Sequence, residues 1–245
     1  MTADPSKPEV STLGCFLRIG VGLLALVIVI VVGVFVYALR EHERNKAALA
    51  AEIQRIRERG EPVDGKELNE FYRLPPGMKD ITSAYVNALR PYLGNEAQDK
   101  LHELRRICTI TKRGDEPPHR PMEWKHLSEA DEACRTYETL LQDLQAAGQH
   151  AGGVRYPVDF SGGWDCELPY ANAARKVLYP LELSALIHYY RGDFAKCTEV
   201  ILATIQLGET FRHEPAVLSQ LVRHTVLRRA RNWTIYFAAD PQFPA

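Results

Sequence analysis

LELSALIHYYRGDFAKCTEVILATIQLGE, from Leu181 to Glu209, decides how the chain is read. Apolar residues recur three and four apart on both sides of Arg191-Gly192-Asp193, the spacing of two amphipathic helices joined by a tight turn. Glycine permits the reversal, and the Asp193 carboxylate is placed to cap the second helix. Phe194 and Cys197 fall on the face that packs into the pair. No alternating strand of useful length appears elsewhere in the chain. The fold class is all-α, built from packed helical hairpins.

The same rhythm continues outward. Toward the C-terminus it predicts a helix over Glu214 to Phe237, and toward the N-terminus one over Leu168 to Tyr190. Ser128 opens the cleanest pattern, with Ala130, Ala133, Cys134, Tyr137, Leu141 and Leu144 in one stripe ending near Gly148. Earlier, Asp80 is a candidate N-cap for a helix carrying Ile81, Tyr85, Ala88 and Leu89. Leu101, Leu104, Ile107 and Cys108 repeat that pattern, and TKRGDEPPHRP follows as a surface loop. A short helix is expected around Lys66 to Tyr72, closed by Pro75 to Gly77.

The RGDFAKC turn resembles the helix-turn-helix unit of tetratricopeptide repeats, whose turn and second helix commonly read GD(Y/F)xxA. Ala185 stands at the small-residue position where the first helix lets its partner approach. Ser184 departs from the usual large apolar residue, and Glu209 falls where proline often ends the repeat. No second copy follows at a period of about 34 residues. The resemblance implies a small TPR-like stack rather than a solenoid.

Before this helical region the chain changes character. Ile19 to Leu39 reads IGVGLLALVIVIVVGVFVYAL, with no charged side chain. At ~1.5 Å per residue this covers about 31 Å, the hydrocarbon thickness of a bilayer. A buried core helix would show some polar face over six turns. A cleavable signal peptide would have a shorter apolar region and a small-x-small site. TLGC, Thr12 to Cys15, lies before the apolar run rather than after it, so it is no lipoprotein box. The expectation is an uncleaved single-pass anchor over residues 15–39, preceded by a disordered tail over 1–14. REHERNKAALAAEIQRIRERG continues it as a helical stalk over 40–60, with Gly60 as a stop. Leu49, Ile53 and Ile56 would suit a short seam, either with a second stalk in a homodimer or with the protein's own domain. The α-helical domain then occupies 61–239, and 240–245 form a tail. The cation count flanking the anchor mildly favours a cytoplasmic domain, whereas the short N-tail argues the opposite, so the side stays open.

Net charge is -1, with 25% charged and 46% hydrophobic residues. That balance offers no electrostatic case for nucleic acid. Cys108, Cys134, Cys166 and Cys197 lack the paired spacing of a zinc site. The eight histidines form neither HExxH nor a close ligand cluster. Neither a nucleophile elbow nor a phosphate-binding loop is present. No catalytic residue, metal ligand or cofactor site is therefore assigned.

RYPVDFSGGWDCELPY, Arg155 to Tyr170, is where chemistry would be sought. Gly162-Gly163 offers unusual backbone angles, and Asp159 with Asp165 could present oxygens to a cation. The D-x5-D-x-E spacing is too sparse for a calcium loop. The alternative is a packed connector, with Tyr156, Phe160 and Trp164 plugging apolar surface between two helical halves. Asp159 would then accept hydrogen bonds from backbone amides or Arg155. Arg155, Tyr156, Asp159, Phe160, Trp164 and Asp165 are the candidate ligand or structural residues. RHTVLRRARNW adds a basic helix face, with Arg223, Arg228, Arg229 and Arg231, suited to lipid headgroups, an acidic partner or internal pairing.

RYPVDFSGG, followed by a helix and later by EPAVLSQLVR, resembles a group of uncharacterised bacterial proteins with one N-terminal membrane helix and an α-helical domain. The likeness runs from about Gly60 to about Arg228. It rests on Arg155, Tyr156, Pro157, Asp159, Phe160, Glu214, Pro215, Ser219, Gln220 and Leu221. It implies an architecture and transfers no activity. The resulting expectation is a membrane-anchored binding or scaffold protein, with the bilayer and an unidentified protein as partners. The alternative is a membrane-tethered enzyme using the 155–167 loop on a small substrate.

Overall fold

The computed structural model describes residues 12–94, 104 and 123–243; the side chains of residues 12–25, Val27 and Trp164 lie outside the described residues. Among the described residues there are eight α-helices and no strand. The all-α expectation holds. The chain divides into two compact units, Met1–Val63 and Asp64–Ala245.

The first unit consists mainly of one helix, α1, over Thr12–Glu58. No proline interrupts it, and it stops just before Gly60, whose φ of +74° a side chain would resist. Every described large apolar side chain from Leu26 to Leu39 is 42–69% exposed. Among the described residues no helix is long and apolar enough to cross a membrane. The front of the expected span, Ile19 to Ala25 with Val27, lies outside the residues whose side chains are described. Of the tail expected over residues 1–14, residues 1–11 lie outside the described residues too, whereas Thr12 to Gly14 already belong to α1. Leu49 is exposed, while Ile53 and Ile56 are half-buried.

The second unit opens with α2, Gly65–Phe71, capped by Asp64, whose carboxylate accepts from the amides of Lys66 and Glu67. Next comes α3, Thr82–Leu89, with Tyr85, Ala88 and Leu89 buried as the spacing predicts. Asp80 accepts from the Thr82 amide at 2.8 Å, so it fastens the first turn from one place outside the cap position. Of the next expected stripe only Leu104 is described, and it is buried. Leu101, Ile107 and Cys108 lie outside the described residues.

The pattern begun at Ser128 is two helices, α4 over Leu127–Arg135 and α5 over Glu138–Gly148. The chain turns at Thr136-Tyr137 without losing helical phase, so the buried stripe runs across the break. Three longer helices complete the fold: α6, Pro169–Tyr190; α7, Phe194–Glu209; α8, Val217–Ala238. The α6–α7 turn is the one the sequence announces. Gly192 has φ +75°, and Asp193 accepts from the Lys196 amide at 3.3 Å.

Helix α6 is central, packing against α4, α7 and α8. It is buried over most of its length, including Ala185, which is fully covered. Its apolar surface therefore runs almost all round, which is why its periodicity is blurred. Pro180 sits inside it without ending it. Glu182, 0% exposed, lies on this helix and receives Arg229 Nη1 from α8 at 3.0 Å. The same guanidinium lies over the Tyr179 ring at 4.9 Å. Past α8, Asp240 is buried and the Phe243 ring stacks on Phe237 at 5.9 Å, so the fold continues into the stretch expected as a tail.

Candidate functional site

The RYPVDF segment runs into the domain rather than across its surface. Gly153 forms an isolated parallel bridge with Asp80, the Ile81 amide donating to the Gly153 carbonyl at 3.0 Å. Backbones approach so closely here that a Cβ on Gly152 would stand 2.5 Å from the Lys79 carbonyl oxygen. The Arg155 amide then donates to Thr82 Oγ1 at 2.8 Å. Its guanidinium donates to the backbone carbonyls of Tyr72 and Asn69 and lies 5.2 Å from the Tyr72 ring centroid. Arg155 thus serves the end of α2.

Tyr156 is fully buried. Its ring stacks between Phe211 at 4.8 Å and Tyr170 at 5.0 Å. Its hydroxyl meets Thr210 Oγ1 at 2.8 Å, and Thr210 itself donates to the Leu207 carbonyl. One residue of the loop therefore fastens the end of α7 and the start of α6. Phe160 is buried edge-on against Tyr72, with centroids 5.7 Å apart.

Asp159 is exposed and turned outward. Its oxygens accept from the amide and hydroxyl of Ser161 and from Asn69 Nδ2 at 2.7 Å, and these bonds hold its carboxyl below the usual carboxylate range. Arg155 is not among these partners. Asn69 also accepts from the Phe160 amide at 2.9 Å, so it clips the turn to α2. Asp165 is exposed, and Trp164 lies in the turn with its side chain outside the described residues. Asp159 and Asp165 share no described ligand geometry. Among the described residues no three His, Cys, Asp or Glu side chains converge on a metal position.

The structure also joins two sequence segments. Glu214, in the turn between α7 and α8, is 2% exposed. Burial pushes its carboxyl up to about 7, the neighbouring Ser219 hydroxyl working the other way. Its charge is close enough to raise Tyr72 and Tyr156, although burial is the larger cause for both. Gln220 clamps the same turn, donating to the carbonyls of Phe211 and Glu214 at 2.8 and 2.6 Å. RYPVDF and EPAVLSQ therefore meet around Tyr72, a residue the periodicity marked only as a helix end.

The concave surface lies beside this junction. A cleft of about 410 Å³ is lined by α3, the end of α5, the 149–154 segment and the end of α7. Ile81, Tyr85, Gly153 and Val154 form an apolar floor; Gln206, Glu209, Arg212, His150 and His213 supply polar groups. Glu209 receives Arg223 at 2.8 Å and Arg212 at 3.8 Å. Sequence periodicity could not find this cleft, because its walls come from three separated segments. The only signal was the glycine cluster at Gly148, Gly152 and Gly153, where chains pass closely.

None of the described thiols is tuned as a nucleophile. Burial raises Cys134 and Cys197 to about 12, and it also raises Cys166. A reactive thiol is lowered instead. Glu214 lies beneath the surface and does not line the cleft. No protein-family model, no curated protein and no solved structure matches the chain.

Proposed function

We propose that the chain is a single-pass membrane protein whose helical domain binds a polypeptide partner at the bilayer. The anchor is Ile19 to Leu39, an uncharged run of bilayer length within one uninterrupted helix. The exposure of its described apolar side chains supports this reading, since those surfaces need an apolar solvent. The hairpin of α6 and α7, stacked with α8, is TPR-like in construction, and stacked hairpins present concave surfaces to peptides. The likeness to bacterial anchored helical proteins points the same way.

The observation that carries the binding role is the cleft. It combines an apolar floor with an amide, a carboxylate, a guanidinium and two imidazoles at the rim, a chemistry suited to a polypeptide segment. The burial of Tyr156 and Phe160 and the raised Cys166 thiol favour binding over turnover in the 155–167 loop. The test is co-purification from native membranes. Arg212→Glu and His150→Glu alter exposed rim side chains, so the fold should melt as before while the bound partner is lost. Undiminished recovery of the same partner would refute a cleft-based role.

A further inference from the structure

The outward face of α8 carries cations beside exposed apolar side chains. Val217, Leu221, Arg228, Arg231 and Ile235 fall within one stripe when plotted at ~100° per residue. Val217, Leu221 and Ile235 are 74%, 57% and 58% exposed, and Arg228 and Arg231 are exposed with them. The 22 residues of the helix include four arginines and one histidine and no Asp or Glu. Arg223 and Arg229 are consumed internally, by Glu209 and Glu182. Arg228 and Arg231 enter no ion pair among the described residues. The helix thus uses two arginines to hold the fold and turns two outward beside bare apolar side chains.

We infer that this face docks on an anionic bilayer surface. The charge complementarity decides the occupant. A helix that has cations and apolar groups on one side, with no carboxylate, matches phosphate headgroups and the acyl boundary below them. Long arginine side chains let the apolar residues settle while the guanidinium groups remain at headgroup level. The inference rests on the membrane reading above. An anchored domain stays near lipid, so a surface affinity too weak to bind free protein is sufficient.

The test uses the full chain reconstituted into vesicles of phosphatidylcholine alone or phosphatidylcholine with phosphatidylserine. Photoreactive benzoylphenylalanine replaces Leu221, an exposed residue outside the cleft. Lipid adducts are expected in the serine-lipid vesicles, falling about tenfold or more with Arg228→Glu/Arg231→Glu or without the anionic lipid. An alkaline wash separates the two claims. A chain that washes off overturns the anchor and this docking together. A chain that stays but gives no charge-dependent lipid adduct overturns the docking alone. Adducts to a second copy of the chain would also overturn it, assigning the face to self-association.

Discussion

Two buried carboxyls behave differently because their neighbours differ. Glu182 is met by Arg229 and is a structural charge. Replacing Arg229 with methionine strands that carboxylate, and a loss of about 3–5 kcal/mol is expected in denaturant unfolding. Glu214 faces Tyr72, Tyr156 and Ser219 and is raised from an ordinary 4.5 to about 7. The folded state therefore holds its proton more tightly than the unfolded chain does. Its contribution to stability is fully present below pH 4.5, is lost as pH rises through about 7 and is flat above. The total swing is on the order of 3 kcal/mol. Glu214→Gln should remove this swing, so the variant gains on the parent between acid and mildly alkaline pH in paired unfolding curves. Parallel curves at every pH would contradict the assignment.

At the scale of elements, the docking of α2 on the 155–165 turn depends on Gly65. A Cβ there would stand 1.8 Å from the Phe160 carbonyl oxygen, a backbone atom that cannot step aside. Gly65→Ala should therefore cost about 1–3 kcal/mol and loosen hydrogen-exchange protection at Phe160 and Ser161. Protection unchanged there would show that the two pieces are not packed this way. Most helices were legible beforehand because each buries one stripe. The exceptions have physical reasons. The α4–α5 break stayed invisible because the turn at Thr136-Tyr137 keeps the stripe in phase. The meeting of RYPVDF with EPAVLSQ was not legible, since periodicity reports which face is buried and not which distant segment covers it. Asp159, read as an anchor, does serve a local turn, but through Asn69 and Ser161 rather than Arg155.

For the whole molecule, the proposed roles are separate: attachment by α1 and recognition by the helical domain. The compact unit from Asp64 onward has its own core, centred on α6. A chain beginning at Asp64 should be recovered in aqueous buffer and melt cooperatively, whereas persistent aggregation would contradict the division. The cleft is the central claim, and site-specific crosslinking in native membranes tests it most directly. Benzoylphenylalanine in place of Met78 reports from the cleft, and in place of Asp159 it reports from the outer turn of the loop. The account predicts a discrete protein adduct from position 78 and none from position 159. An adduct from 159 with none from 78 would contradict it and return the loop to first place.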